Sequence, residues 1–177
     1  ENACGNLKIC HSLLVSNHYH MIAKINSATK FYLSRLTSKS ISWQEAKNQM
    51  LNWGFEQIGS GCESIVFSRK GFDHVIKIWY SPHFKAGAEV FTKYELPTSM
   101  FAESLCIAAH QFHVVVQAKI PTLSALFDKD WRAMEKASEK GLKAIKKKFP
   151  RVGDLGTYNL GMSSGKIVAF DWTWDGK

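Results

Sequence analysis

The sequence predicts an α+β fold, and three features carry that prediction. Apolar residues before Gly54 recur at helical spacing, and after Phe55 they alternate as strands do. A long helical pattern returns at residues 128–148, and a glycine turn at Ser163–Gly165 divides the last apolar strands as a hairpin. The 177 residues suit one domain, and 45% hydrophobic with 21% charged residues suits a globular one. No apolar run approaches the length of a membrane span, so no membrane contact is expected. The start, ENACGNLKIC, lacks the basic-then-apolar pattern of a secretory leader. Four scattered cysteines form no disulfide-like framework, so a reducing cytoplasm is the expected compartment. Cys4 and Cys10, near His11, His18 and His20, resemble no standard zinc finger in spacing.

Taken in order, residues 11–36 place Leu13, Leu14, Tyr19, Ile22, Ile25, Phe31, Tyr32 and Leu36 at mixed helical spacing, which suggests one or two short helices. Ser42-Trp-Gln-Glu45 is a capping box, so a helix should run from there to about Trp53 and end at Gly54. FEQIGSGCESIVFSRKGFDHVIKIWY then reads as two or three strands broken at Gly59, Gly61 and Lys70-Gly71. Residues 83–95 favour helix, and SLCIAAHQ and FHVVVQAKI form an antiparallel pair. The helix of residues 128–148 sets Trp131, Met134, Leu142 and Ile145 on one face and carries Lys146–Lys148 where the helix dipole favours cations. Pro150 stops it.

Several residues in this frame could carry chemistry. Gly59 and Gly61 form a G-x-G turn whose amides could approach phosphate oxygens, although a plain hairpin turn explains them equally well. Lys77 interrupts the apolar strand HVIKIW and needs a partner if buried; Glu89 on the next helical segment could supply it, while an edge-strand lysine facing solvent would need none. Asp154, Asn159 five residues later and Asp171 after the strand KIVAF supply hard oxygens of the kind that hold Mg²⁺ together with phosphates. Singly, each Asp reads as a turn residue. Their joint order is what argues for a site.

That order resembles the protein-kinase fold: a glycine loop, a strand Lys, a helix Glu, D-x-x-x-x-N and a metal-binding Asp, from Phe55 to Asp171. More closely, GFEQIGSGCESIVFS, HVIKI and AGAEVFTKY are similar to the early host-shutoff serine/threonine kinases of lytic podophages, with Ser64 where most kinases have a third glycine. VGDLGTYN also resembles the loop of aminoglycoside and choline phosphotransferases.

The resemblance implies a minimal kinase-like fold using ATP and Mg²⁺. Residues 1–53 would be a helical extension packed on the core, 54–120 a small antiparallel lobe with one helix, and 121–177 a truncated second lobe. Gly59, Gly61 and Ser64 would shape the phosphate loop, and Lys77, oriented by Glu89, would contact phosphates. The backbone of Gln117-Ala118-Lys119 would receive adenine. Asp154 would accept the proton of the substrate hydroxyl, and Asn159 and Asp171 would hold the metal.

There are departures. Val152-Gly153 replaces the His-Arg that precedes the catalytic Asp, Trp172-Thr173 replaces Phe-Gly, and the activation segment and later helices are missing. Without those helices, Leu13, Leu14, Ile22, Phe31, Tyr32 and Leu36 are expected to cover the apolar face of the long helix.

Three functions follow. The first is a phage-type protein kinase acting on proteins of a host bacterium, for which a charge of +8 suits acidic substrates. The second is a pseudokinase that binds an acidic host protein or nucleic acid through its basic surface, nucleic acid being the less favoured partner. The third is a small-molecule phosphotransferase.

Overall fold

A computed structural model describes residues 27–38, 40–80 and 96–174. Two helices come first, α1 (Ser27–Thr37) and α2 (Trp43–Asn52). The Ser42 hydroxyl accepts from the Glu45 amide, and the Glu45 carboxylate accepts from the Ser42 amide, so the capping box is complete at both ends. The Ser42 amide and then the Ser42 hydroxyl, both donating to the Glu45 carboxylate, hold it below its usual range. Gly54, at φ 76°, takes the left-handed turn that ends this segment.

Three antiparallel strands follow, β1 (Glu56–Ser60), β2 (Ser64–Ser68) and β3 (His74–Trp79), and then β4 (Ser104–Ala108) and β5 (His113–Ala118). They form one sheet in the order β1-β2-β3-β5-β4. Side chains alternate across a strand, so its register decides which residues share a face. Ile65, Phe67, Ile76, Ile78, Leu105, Val114 and Val116 lie on one face and form a core with Leu33 and Leu36 of α1 and with Ala46 and Met50 of α2. Arg69 ties α1 down: its guanidinium donates to the Tyr32 hydroxyl at 2.6 Å and lies over the rings of Tyr32, Phe55 and Phe72.

The opposite face carries Lys77, Trp79 and Val115, Lys77 being paired with Val115. It looks onto the second half of the chain: a short helix α3 (Leu123–Leu126), the long helix α4 (Trp131–Lys148), β6 (Val152–Gly153), a 3₁₀ turn (Thr157–Asn159), the hairpin β7 (Leu160–Ser163) and β8 (Lys166–Ala169), and β9 (Thr173–Trp174). Trp79, Phe101, Val115, Met134, Ile145, Leu160 and Trp172 build this second core. The hairpin turns through Ser164 (φ 49°) and Gly165 (φ 72°), as its sequence predicts.

The structure corrects three expectations. Tyr32 and Leu36 do not cover the long helix; they pack on the outer face of the sheet, and Phe31 is 52% exposed. The seven apolar residues of that outer face need a cover, and α2, joined to β1 at Gly54, is already there. The apolar side of α4 is filled instead by the sheet's inner face and the hairpin. Trp131 is not buried on that side either: it is 48% exposed, against the ring of Tyr158 at 5.6 Å. It opens the helix directly after the Asp130 cap, where the second core no longer reaches. Asp128 and Lys129, expected in the helix, have left-handed φ of 47° and 63° and form the turn before it. Leu13, Leu14, Tyr19, Ile22, Ile25, the segment 83–95 and the cysteine–histidine cluster all lie outside the described residues.

Candidate functional site

Period-two alternation turns Lys77 inward, because Ile76 and Ile78 take the outer face. Its ammonium is buried, donates to the Phe170 carbonyl at 2.7 Å and stands 3.5 Å from Asp171 Oδ1. Burial lowers the lysine's affinity for its proton, and the Asp171 carboxylate opposes that shift. The Asp171 side chain is 40% exposed, so the pair joins a dry nitrogen to a carboxylate that solvent reaches. Glu89 lies outside the described residues.

Gln117 faces the same way as Val115. Its side-chain amide donates to Ser104 Oγ at 2.9 Å and to the Phe170 carbonyl at 3.0 Å. One main-chain oxygen thus receives two buried donors from neighbouring strands. The sequence reading gave residues 117–119 a backbone role toward adenine. Here the Ala118 amide donates to the Glu103 carbonyl and the Lys119 amide to that of Asp73, both at 2.8 Å, so those two donors are already engaged. The Lys119 ammonium reaches Ser68 Oγ at 3.2 Å. What the sequence missed is the Gln117 side chain. Its place two residues after Val115, the partner of Lys77, was the available signal.

Asp154 and Asp171 come together through backbone pairing. Gly153 pairs with Thr173 and Val152 with Trp174, so both residues lie just beyond the same end of one two-stranded ladder. Buried Val152, Leu155 and Trp172 anchor the residues beside them. Asp154 is exposed and adopts φ 51°, a left-handed conformation that costs a non-glycine residue energy. Asn159 closes the loop: its Nδ2 donates to the Asp154 carbonyl at 2.8 Å. The Asn159 carbonyl in turn accepts from the amides of Phe170 at 3.0 Å and Asp171 at 3.4 Å. Lys77, Gln117, Asp171, Asn159 and Asp154 are therefore linked in one network, in which Phe170 takes part through its main chain and through its ring, 5.7 Å from the Lys77 ammonium.

Gly59 stands at an irregularity in the β1–β2 register. The Gly61 amide donates to the Ser64 carbonyl at 2.9 Å and closes the turn. Tyr80 clamps that turn, with its hydroxyl donating to the Gly61 carbonyl at 3.1 Å and its amide to that of Glu63 at 3.0 Å. A Cβ on Gly61 would meet nothing within 4 Å, so internal packing does not require a glycine there. Ser64 is buried at the start of β2, opposite Trp79.

Among the described residues no group of three or more His, Cys, Asp or Glu side chains converges to hold a metal. Asp171 and Asn159 fit a different arrangement. With Nδ2 of Asn159 committed to Asp154, a carboxylate and an amide oxygen remain, enough for Mg²⁺ only where phosphates and water complete the shell. A thiol nucleophile is not available in Cys106: burial pushes that thiol up to about 12. No described helix is long and apolar enough to cross a membrane.

No protein-family model and no curated protein matches the chain. Among solved structures it is similar to a crystal structure of Rad53 1–466 in complex with AMP-PNP, at 17% identity and a TM-score of 0.48. The match covers 74% of this chain and 43% of the other, so the chain spans less than half the length of that structure.

Proposed function

We infer that the chain is a phosphotransferase of protein-kinase type, using ATP with Mg²⁺ and acting on a serine or threonine of a protein, in a phage-infected host by the sequence resemblance. The observation that carries this reading is the network from buried Lys77 through Phe170 and Asp171 to Asn159 and Asp154. Phosphoryl transfer asks little covalent work of a protein; it asks for position and for fixed opposite charge.

ATP would bring the transferable phosphoryl group, and the metal would neutralise its charge. Lys77 presents a desolvated cation toward phosphate oxygens. Asn159 and Asp171 present the metal ligands. Asp154, exposed and with its loop closed by the Asn159 amide, receives the acceptor hydroxyl and takes its proton as that oxygen bonds to phosphorus and the bond to the leaving oxygen breaks.

Radiolabelled ATP and bacterial extract test this. Labelled protein is the expected product, and Asp154→Asn should abolish labelling, by about 10²-fold or more, while leaving nucleotide binding nearly intact. A labelled small molecule would establish the small-molecule reading instead. No label in either fraction would establish the binding module.

A further inference from the structure

Helix α4 concentrates charge that the site does not use. Eight basic and two acidic residues lie from Trp131 to Arg151, a net +6 out of +8 for the chain. At 3.6 residues per turn, Arg132, Lys136, Lys140, Lys143 and Lys147 fall within a sector of about 80°. That sector is opposite buried Met134, Ser138 and Ile145, and all five residues are exposed. No other helix residue lies inside it. Lys143 meets Glu139 at 2.6 Å, but these side chains are 75% and 62% exposed, so the pair opens at little cost. Among the described residues the other four cations enter no ion pair. Successive members stand three or four residues apart, so they repel one another until an anion arrives.

The composition of the row selects the anion. Four of the five are lysines, compact charges without the planar fork that fixes a carboxylate. The sector holds no aromatic or large aliphatic side chain, so it lacks the anchor that a protein partner fills. It equally lacks the stacking platform used by single strands. A straight line of mobile cations remains, about 22 Å long at 1.5 Å per residue. A duplex offers one phosphate per about 1.7 Å of axis over its two strands, so mobile side chains along a row of this length find phosphates of both backbones within its span.

We propose that the outer face of α4 binds the phosphate backbone of double-stranded nucleic acid without reading its sequence. The site is independent of the phosphotransfer residues and stands whether or not that activity does.

The test is fluorescence anisotropy of the full chain with a labelled mixed-sequence duplex of about 20 base pairs, from about 50 to 200 mM salt. Five contacts should give log K against log salt a slope of about −4.5. The variant Lys136→Gln/Lys140→Gln/Lys147→Gln, with an unchanged far-UV spectrum, should lose two to three units of that slope. If that variant fails to fold, Lys140→Gln alone should lose about one unit. Single-stranded DNA of the same sequence and poly-glutamate should compete more weakly than unlabelled duplex. Absence of binding at the lowest salt, a smaller loss of slope, or stronger competition by either alternative overturns the proposal.

Discussion

Lys77 keeps a charged nitrogen on a face shared with Val115 and Trp79, and its surroundings set the pH at which that charge is tolerated. Burial depresses its pKa below 10.5, and Asp171 recovers part of the loss. The native state therefore binds the Lys77 proton less tightly than the unfolded chain does. The resulting penalty is complete below the lowered native pKa, declines as pH rises, and is gone above 10.5. In Lys77→Met this contribution should vanish, while Gln117 still holds the Phe170 carbonyl. Urea midpoints of the two proteins should differ most near neutrality and converge as pH approaches 10.5, and phosphoryl transfer should fall by about 10²-fold or more. A constant difference across that range would mean that the lysine's charge is not what burial penalises. At this scale residue types were legible: a lysine among Val75, Ile76 and Ile78 had either to meet a partner or to face solvent at an edge. That Asp171 would stand beside it was not legible, because Asp171 lies 94 residues away and only the hairpin brings it back.

Elements with a local cause were readable, and elements made by contact were not. The capping box, the stop at Gly54, the β4–β5 pair and the final hairpin each follow from adjacent residues. Strands β6 and β9 are two residues each and exist only because they meet. The four-residue α3, begun by the Thr122 hydroxyl on the Ala125 amide, is too short for any periodicity to reveal. Helix α4 gives a further case. Gly141 lies where α4 approaches β8, and a Cβ there would stand 2.7 Å from Ile167 Cβ. Propensity alone would make Gly141→Ala stabilising by about 1 kcal/mol. The contact is with the stiff base of a branched side chain, and overpacking of this kind costs about 1–3 kcal/mol. Gly141→Ala should therefore lower the denaturation midpoint; an increase would show that α4 and β8 can separate freely.

Among the described residues, the five-stranded sheet separates two cores. The outer core joins it to α1 and α2, and the inner one joins it to α4 and the hairpin. The hairpin is fastened on two sides: Ala169 exchanges backbone hydrogen bonds with Met100 and Ala102 before β4, and the Met162 amide donates to the Pro121 carbonyl after β5. The site lies where the inner face meets this hairpin, so a ligand held by Lys77 and Asp171 touches both halves and should stabilise them together. Saturation at about 100 times Kd adds about 2.7 kcal/mol, and each kcal/mol moves the midpoint of a chain this size by about 2–4 °C. ATP with Mg²⁺ should therefore raise Tm by at least about 5 °C in a single transition. ATP alone should not, because Asp154 and Asp171 then face the phosphates bare. A metal-independent rise would point to nucleotide binding without phosphotransfer. The separation into helical and strand-rich parts was legible from the change of period at Gly54. Which face of the sheet the first helices cover was not, since Leu36 carries no mark of its target.

The Phe170 carbonyl has an evolutionary consequence. The donors that converge on it come from side chains, Lys77 and Gln117, but what they hold is an atom that every residue type possesses. Variation at position 170 then keeps the carbonyl and loses only the ring, which lies 5.7 Å from the Lys77 ammonium, while variation at 77 and 117 removes a donor. Proline is the exception, since the Phe170 amide also donates to Asn159. The main-chain half of the joint that fixes Asp171 would leave no signature letter at its own position, and a search for this site by matching residues would pass over that half of it.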